Sequence, residues 1–235
     1  MGRSDAPPIR SLPRTFIPGI DAGVDRFELP AEEYKKLTKV LRLSSGAQLA
    51  VMPGDGRLLR CELDGKDARV LETLYPNTES ARSVTLCQAL PRAEKLEEVV
   101  RMGSEIGVRA FVVFPSDRSV VKWDAAKLQD KLKRLESIAR EAAEVAFRTH
   151  LPEFTVANSL KAVLTSFPDS QVLSEVEGVG GRLAPRAETT LVIGPEGGWS
   201  PREVELIGDR AVTLGPRVLR VDTAAAAACA LALLA

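Results

Sequence analysis

The segment Leu-Val-Ile-Gly-Pro-Glu-Gly-Gly at residues 191–198 decides how the second half of the chain folds. An apolar run that stops abruptly at glycine and proline is typical of a buried strand followed by a tight loop. Ser-Pro-Arg-Glu follows at residues 200–203. A serine three residues before a glutamate, with proline in the first helical position, predicts a helix that begins with a capping box. The segment therefore predicts a strand, a loop and a helix in direct succession.

Strand and helix also alternate on both sides of this segment. Apolar runs predict strands at 84–90, 110–114, 189–193 and 211–214, and residues 172–173 form a short apolar step. Helical patterns fall at 92–106, 124–148 and 159–167, the last capped by Asn158, and Asp222 opens a final alanine-rich helix. One face of the long helix carries Leu128, Leu132, Leu135, Ile138, Ala142 and Val145. The alternation predicts an α/β domain with a largely parallel sheet.

The first part of the chain has a different pattern. Residues 1–30 are punctuated by prolines and predict irregular structure, and residues 31–42 predict a short helix. Three short strands follow at 48–52, 58–63 and 68–74, separated by glycine-rich turns. Closely spaced short strands predict a small β-barrel. Turn residues at 75–80 then predict a boundary between a domain at 1–78 and a domain at 79–235.

Composition bounds the class of protein. The 235 residues are 45% hydrophobic and 27% charged, which is ordinary for a globular protein. Lys+Arg and Asp+Glu both total 32, so net charge gives no indication of a nucleic-acid partner. Cys61, Cys87 and Cys229 have no zinc-site spacing and predict buried, reduced thiols without a metal. We see no signal peptide, and residues 223–235 are too short to span a bilayer, so we expect a cytoplasmic protein with no membrane partner.

Two loops rich in glycine and proline follow predicted strands, at 194–198 and 215–217. Ligands of open α/β sheets bind at such strand ends, and glycine lets the backbone approach a ligand closely. The phosphate-binding glycine patterns are missing, and Glu196 would repel a phosphate. A ligand with an adenine and a cationic sulfonium suits these loops better, because backbone amides can read the edge of an adenine and a sulfonium tolerates nearby carboxylates. The alternative is that residues 194–198 form only a tight turn between strand and helix.

Residues 191–198, taken with Leu-Gly-Pro-Arg-Val-Leu-Arg at 214–220, strongly resemble the RsmE family. These are bacterial methyltransferases of the SPOUT class that methylate N3 of a uridine in small-subunit ribosomal RNA. The resemblance covers nearly the whole chain, with further matches in the same order at 14–16, 40–42, 94–95, 105–108 and 116–119.

The resemblance implies a fold, a cofactor and partners. It implies a PUA-like β-barrel that helps hold ribosomal RNA, followed by a SPOUT domain with a C-terminal α/β knot of the trefoil type. It also implies a homodimer whose S-adenosylmethionine pocket is built at the subunit contact. The residues implied to bind the cofactor are Leu173, Ser174, Glu175, Gly194, Pro195, Glu196, Gly197, Gly198, Leu214, Gly215, Val218 and Leu219.

Three residues are candidates for the chemistry. Uridine N3 must lose a proton, so the enzyme has to remove it or stabilise the resulting charge. Arg148 is the candidate for stabilising the base or holding its phosphate, and the alternative is a cation at the C-terminus of a helix. Arg220 is a similar candidate, and the alternative is a salt bridge inside the knot. Asp222 would accept the proton or orient a water, unless it is the N-cap of the last helix. His150, outside the matched motifs, is expected to be a solvated or interface histidine.

The candidates for holding RNA are basic or aromatic. Arg10, Arg14, Arg42, Arg118 and Lys122 would contact phosphates, which positions RNA without reading its sequence. The alternative is a solvated basic face. Phe147 and Trp199 would stack on a base or, alternatively, pack in the core or a dimer interface.

The sequence also departs from the family pattern. The family reads Glu-Gln-Ser/Cys-Gly-Arg at the end of the long helix, where this chain has Glu-Val-Ala-Phe-Arg at 144–148. Asp222 stands where the family usually has a glutamate. Two alternatives therefore stay open: a non-catalytic RNA-binding or ribosome-assembly protein with the same fold, and a SPOUT methyltransferase with another RNA target.

Overall fold

A computed structural model describes residues 7–121, 123, 127–175 and 180–234 of the chain. Its residues form two compact units. The first extends to Glu79 and also includes Phe147–His150; the second comprises Ser80–Ala146 and the chain from Leu151 onward. The sequence pattern had assigned 147–150 to the second domain, so this four-residue segment is a correction. No turn or apolar signal within it marks the change.

The first unit is built on a five-stranded sheet with the order β1-β3-β4-β5-β2. Its strands are β1 (Arg14–Phe16), β2 (Arg26–Glu28), β3 (Gln48–Met52), β4 (Leu58–Asp64) and β5 (Asp67–Leu74). Strands β1 and β3 are parallel, and the other neighbours are antiparallel. The predictions for β3, β4 and β5 are confirmed within one residue. Residues 1–30 were wrongly predicted as irregular throughout, since β1 and β2 are three-residue strands that form by pairing with β3 and β5.

The predicted helix at 31–42 is confirmed with an unusual last turn. It begins as α1 (Ala31–Lys35) and continues as a π-helical turn over Lys36–Val40. Leu37 is buried within the core of the first unit. Arg42 lies two residues beyond this turn, and its φ of 57° lies in the left-handed region. Such wide turns often occur at functional positions.

The second unit contains a seven-stranded sheet with the order β10-β12-β9-β11-β6-β7-β8. The strands are β6 (Ser83–Ala89), β7 (Ala110–Phe114), β8 (Glu153–Val156), β9 (Gln171–Leu173), β10 (Gly181–Arg182), β11 (Glu188–Ile193) and β12 (Ala211–Thr213). Every neighbouring pair is parallel, which confirms the predicted α/β sheet. The two edge strands, β8 and β10, were not predicted.

Helices cover both faces of this sheet. They are α2 (Ala93–Ile106), α3 (Leu128–Val145), α4 (Leu160–Ser166), α5 (Pro201–Ile207) and α6 (Val221–Leu234). Alternate residues of the central strands point to opposite faces. Leu86 and Leu191 pack with α2, α3 and α6, whereas Cys87 and Val192 pack with α4 and α5. In the described part of the chain, no helix combines the length and apolar character needed to cross a membrane.

Two local predictions are corrected. The N-cap of α4 is Ser159, whose hydroxyl accepts a hydrogen bond from the backbone N–H of Ala162 at 3.2 Å, and not Asn158. Val145 was predicted on the buried face of α3 but is 76% exposed. Its neighbour Glu144 is buried instead and forms an ion pair with Arg140, four residues earlier. Tertiary packing has overridden the apolar periodicity at this end of α3.

Candidate functional site

Three loops meet at one edge of the second unit's sheet. Strands β12, β9 and β11 are consecutive neighbours and run parallel, so their carboxyl ends lie at the same edge. The loops that leave them begin at Ser174, Gly194 and Leu214. The fold thus brings together the three segments expected from the sequence to bind a ligand. This edge is where open α/β sheets bind ligands.

The loop after β11 is shaped by Trp199. Its indole N–H donates to the carbonyl oxygen of Leu173 at 2.8 Å, which ties the loop to the end of β9. A Cβ on Gly194 would lie 3.2 Å from Cε2 of Trp199, so the buried indole leaves little space for a side chain at 194. Of the two roles considered for Trp199, the structure shows packing in the core.

The next part of the loop is held by Arg118. Its guanidinium donates to the carbonyl oxygen of Gly197 at 2.9 Å, and a Cβ on Gly197 would lie 3.2 Å from Cβ of Arg118. Gly198 follows with a φ of 66°. Arg118 was predicted to contact a phosphate, and one of its N–H donors is used within the protein instead.

The predicted capping box at the start of α5 is confirmed. The Ser200 hydroxyl accepts from the N–H of Glu203, and the Glu203 carboxylate accepts from the N–H of Ser200. The buried carboxylate also accepts from the hydroxyl of Ser116 at 2.8 Å and from the N–H of Asp117 at 3.0 Å. One side chain thus fixes both the N-terminus of α5 and the loop after β7.

Strand order reverses between β6 and β11, and two side chains join the loops at this point. Gln88 is buried at the end of β6, and its side-chain amide donates to the carbonyl oxygens of Ala89 at 2.9 Å and Gly194 at 3.2 Å. The Glu196 carboxylate accepts from the backbone N–H of Arg92 at 3.1 Å, immediately before α2. The structure therefore gives Glu196 a role in tying its loop to α2.

The loop after β12 leads into α6 through Arg220 and Asp222. Arg220 is exposed, and its carbonyl oxygen accepts from the N–H of Ala224 at 2.7 Å. Because α6 begins at Val221, Asp222 is its second residue, and the N-cap interpretation of Asp222 is wrong. Oδ2 of Asp222 lies 2.8 Å from Nζ of Lys95 in the first turn of α2. This hydrogen bond holds the pKa of Asp222 below its ordinary value.

The remaining catalytic candidate, Arg148, belongs to the first unit. It is 4% exposed, and its guanidinium forms an ion pair with Glu79 at 3.0 Å. The Glu79 carboxylate also accepts from the backbone N–H groups of Thr149 at 2.9 Å and His150 at 3.3 Å. The exposed ring of His150 lies 3.1 Å from the carbonyl oxygen of Gly54. Contact of Arg148 with a base stays a prediction. In the structure, the partner of its guanidinium is Glu79.

Two of the predicted RNA contacts meet at Phe147. The guanidinium carbons of Arg10 and Arg14 lie 5.8 Å and 4.9 Å from the centre of its ring. Arg42 is exposed and lies two residues beyond the π-helical turn. Lys122 lies outside the described residues. The roles of these four residues, and of Arg118, in RNA binding stay predictions.

The cysteines do not take part in the site chemistry. All three are buried, which confirms that part of the prediction, and none is in a disulfide in this structure. Burial raises the pKa of Cys87, close to the end of β6, to about 12. A thiol with such a pKa is a poor nucleophile at neutral pH. Among the described residues, no cluster of three or more His, Cys, Asp or Glu could hold a metal ion.

Comparison with known proteins identifies the family. Residues 78–233 match the profile of the RNA methyltransferase domain. The ribosomal RNA small subunit methyltransferase E of Bacillus subtilis is 32% identical over 219 residues, which cover 84% of this chain and 86% of that relative. The chain belongs to the RsmE family of RNA methyltransferases.

Two solved structures share the fold of this RsmE-family chain. A putative methyltransferase from Legionella pneumophila, in complex with bound S-adenosylmethionine, is 28% identical with a TM-score of 0.83, and the match covers 93% of this chain and 95% of that one. The ribosomal RNA small subunit methyltransferase E of Neisseria gonorrhoeae, also bound to S-adenosylmethionine, is 25% identical with a TM-score of 0.83, over 94% and 96% of the two chains.

Sequence reasoning missed two side chains that shape the candidate site, Gln88 and Lys95, and it missed the hydrogen bond formed by Trp199. Gln88 was detectable, because it is a polar residue within the apolar run at 84–90. Lys95 gave no signal of its contact with Asp222, which lies 127 residues away. The hydrogen bond of Trp199 to Leu173 was equally hidden, since nothing in the sequence reports how two loops approach each other.

Proposed function

We propose that this chain transfers a methyl group from S-adenosylmethionine to N3 of a uridine in small-subunit ribosomal RNA. The observation that carries the proposal is the meeting of three loops at the ends of β9, β11 and β12, in a chain of the RsmE family. The relatives from Bacillus subtilis and Neisseria gonorrhoeae are named as small-subunit ribosomal RNA methyltransferases, and both solved structures described above hold S-adenosylmethionine.

The residues at these loops suit this cofactor. Val218 is 76% exposed on a loop rich in glycine and proline and offers an apolar contact for an adenine face. Backbone N–H and C=O groups at the three strand ends can read the edge of an adenine, as they carry donors and acceptors in fixed positions. The exposed carboxylate of Glu175 favours a positive sulfonium over a phosphate. We therefore assign residues 173–175, 194–198, 214–215 and 218–219 to the cofactor.

Arg220 is the proposed stabiliser of the reacting base. When bound, the cofactor supplies a methyl group on a positively charged sulfur. Uridine N3 attacks as its anion, whose negative charge spreads onto the neighbouring carbonyl oxygens. An exposed guanidinium at the entrance to α6 can donate hydrogen bonds to those oxygens and lower the cost of losing the proton.

Asp222 is the proposed orienting carboxylate. The hydrogen bond from Lys95 lowers the pKa of Asp222 below its ordinary value, which makes the carboxylate a weak proton acceptor. Its Oδ1 is buried and has no hydrogen-bond partner among the described residues. A water or a substrate N–H would supply that missing donor. We assign Asp222 to orienting this donor and Lys95 to holding Asp222.

The first unit is the proposed RNA-holding part, with a PUA-like barrel fold. Its basic residues Arg10, Arg14 and Arg42, with Arg118 and Lys122 of the second unit, would contact phosphates. In this proposal Arg148 does not contact the RNA; its ion pair with Glu79 fixes the segment that contains Phe147. Such contacts would position the RNA, and the pocket would select the base.

The proposal also includes a trefoil knot and a homodimer. The second unit would be a SPOUT domain in which the chain end threads a loop to complete the pocket. Helix α6 is apolar almost all round and exposes Leu231 and Leu234, which a second copy of the chain could cover. The ribosomal substrate implies work in the cytoplasm. A chain that sediments as a monomer at micromolar concentration would contradict the dimer.

The first experiment is calorimetric titration of the purified protein with S-adenosylmethionine. We expect saturable binding with at most one site per chain. Transfer of a radiolabelled methyl group to unmodified small ribosomal subunits and to their naked RNA, followed by mapping of the modified nucleotide, then identifies the target. Methylation at another base or another RNA would favour a different target. A folded protein that does not bind the cofactor but binds RNA would leave the non-catalytic RNA-binding protein as the better account.

A further inference from the structure

Phe147 adopts a backbone conformation that its residue type disfavours. Its φ is 61°, in the left-handed region, and its side chain is only 6% exposed. For a residue with a Cβ this conformation costs roughly 1–2 kcal/mol, and a glycine would adopt it freely. Such a position persists only where the surroundings hold it, and such positions cluster at functional sites.

Two sets of contacts hold Phe147 in place. On its C-terminal side, Glu79 binds the guanidinium of Arg148 and the N–H of Thr149, which fixes the backbone that follows. On its ring, the guanidinium groups of Arg10 and Arg14 lie 5.8 Å and 4.9 Å from the centroid. The side chain of Arg14 also donates to the carbonyl oxygen of Arg10 at 2.8 Å, so the two arginines are linked to each other.

This arrangement brings two positive charges to one ring. Like charges repel, so each cation–π contact, worth about 0.5–1 kcal/mol at an exposed site, is partly offset by the other cation. Arg10 is exposed, and none of the ion pairs within the described residues involves it. An anion that contacts both guanidinium groups would turn this repulsion into attraction. Arginine suits phosphate oxygens because its planar fork can donate two parallel hydrogen bonds.

We propose that Phe147 is a positioning residue that holds Arg10 and Arg14 as a paired clamp for the phosphate backbone of RNA. The inference rests on the proposed function, because it takes the RNA substrate as the source of the phosphates. Phe147 does not itself stack on a base, since its ring is buried beneath the arginines. The left-handed backbone turns the ring toward the two guanidinium groups, and this orientation offsets the strain.

The test compares two substitutions of Phe147 in the full-length protein. Phe147→Leu keeps an apolar side chain but removes the aromatic face, whereas Phe147→Tyr keeps the face. The probe is a labelled transcript of small-subunit ribosomal RNA, titrated over a range of salt concentrations. We expect F147L to bind about fivefold more weakly, as the loss of two cation–π contacts implies. The slope of log Kd against log salt should fall by up to about 1. F147Y should bind as the wild type does.

A merely structural role for Phe147 is separated by a double-mutant cycle. In a background of R10A and R14A, F147L should weaken RNA binding no further, because residues that act through one another are not additive. Phe154→Leu, which disrupts the Phe154–Phe111 stack in the second unit, is the matched control and should leave RNA affinity unchanged. S-adenosylmethionine affinity should be equal in all these variants.

Three outcomes would overturn the inference. They are an F147L variant with wild-type RNA affinity and salt slope, an equal loss of affinity from F147L with and without the two arginines, and a wild-type protein without measurable affinity for the transcript. Failure of the proposed function has another signature: a wild-type protein that binds RNA but neither binds S-adenosylmethionine nor transfers a methyl group.

Discussion

Among the described residues, both units place glycine at left-handed backbone positions, but only the first unit also places residues with side chains there. In the second unit, the ligand loops place glycine at these positions, with φ values of 66° at Gly198 and 127° at Gly215. In the first unit, Arg42 and Phe147 occupy such positions, with φ values of 57° and 61°. The loops of the second unit expose backbone and keep side chains out of the way. The first unit accepts strain in order to present particular side chains.

The difference follows from what each region is proposed to bind. A small, flat cofactor is read by closely spaced N–H and C=O groups, and these are accessible only where Cβ atoms are missing. A phosphate backbone is bound by charged groups that extend away from the protein surface. Substitutions that add a side chain to a glycine, and so remove backbone freedom, should therefore damage the second unit most.

The largest effect is expected for Gly194→Val. The added side chain would collide with Trp199, where a Cβ alone already lies 3.2 Å from the indole. We expect a loss of about 2 kcal/mol in the free energy of unfolding and, since displacement by about 1 Å is enough, about a hundredfold loss of methyl transfer. Urea denaturation and a methyl-transfer assay measure the two. Gly181→Val is the matched control, because a Cβ at 181 meets nothing within 4 Å. Equal behaviour of the two variants would contradict the role of Trp199.

The next effect concerns charge at the same site. Lys95→Met leaves the Asp222 carboxylate, only 18% exposed, without its partner. Breaking a buried pair costs roughly 3–5 kcal/mol, and partial exposure of both groups reduces this to about 2 kcal/mol. The double variant K95M/D222N should recover part of the loss, as no charge is then left unpaired. If the double variant is no more stable than K95M, the cost lies in lost packing of the lysine stem.

The stability difference between wild type and K95M should depend on pH. The folded pKa of Asp222 lies below its ordinary value of 3.8, so its pairing stabilises the protein above that pH. The stabilisation is lost as the pH falls through the lowered folded pKa. Urea denaturation at pH 7 and at successively lower pH should show the difference shrinking in acid. A difference that stays constant would mean that Asp222 is not the group concerned.

The smallest effect compares the two backbone strategies directly. A Cβ at Gly198 would meet nothing within 4 Å, so Gly198→Ala should cost only the conformational penalty, roughly 1 kcal/mol. Arg42→Gly relieves the same kind of strain but makes the unfolded chain more flexible, so its net effect should lie within about 0.5 kcal/mol. Thermal unfolding of both variants checks this. A strong destabilisation by R42G would indicate that the arginine side chain itself supports the fold.

Parts of the fold were predictable from local pattern. Strands β3 and β7 and the capping box of α5 match their predictions because apolar runs and turn residues bound them on both sides. Strands β1, β2 and β8 were missed. They are only three or four residues long, and their structure comes from pairing with neighbours distant in sequence.

The candidate site was predictable only as far as its loops. The motifs at 194–198 and 214–220 lie at the carboxyl ends of β11 and β12, the two strands that flank β9. The contacts that shape these loops join residues far apart in sequence, such as Trp199 with Leu173 and Glu196 with Arg92. The pairing of Arg148 with Glu79 was also hidden, since neither residue carries a local signal of the other.

The segment Phe147–His150, which belongs to the first unit, limits how such proteins can recombine during evolution. Because α3 ends at Val145 and the chain then supplies four residues to the other unit, neither unit is one continuous stretch of the gene. A recombination event at codon 79 would separate Glu79 from Arg148 and the N–H of Thr149. The contacts of Arg10 and Arg14 with the Phe147 ring would be broken at the same time. An exchange of either unit for an unrelated sequence would therefore break contacts inside the first unit.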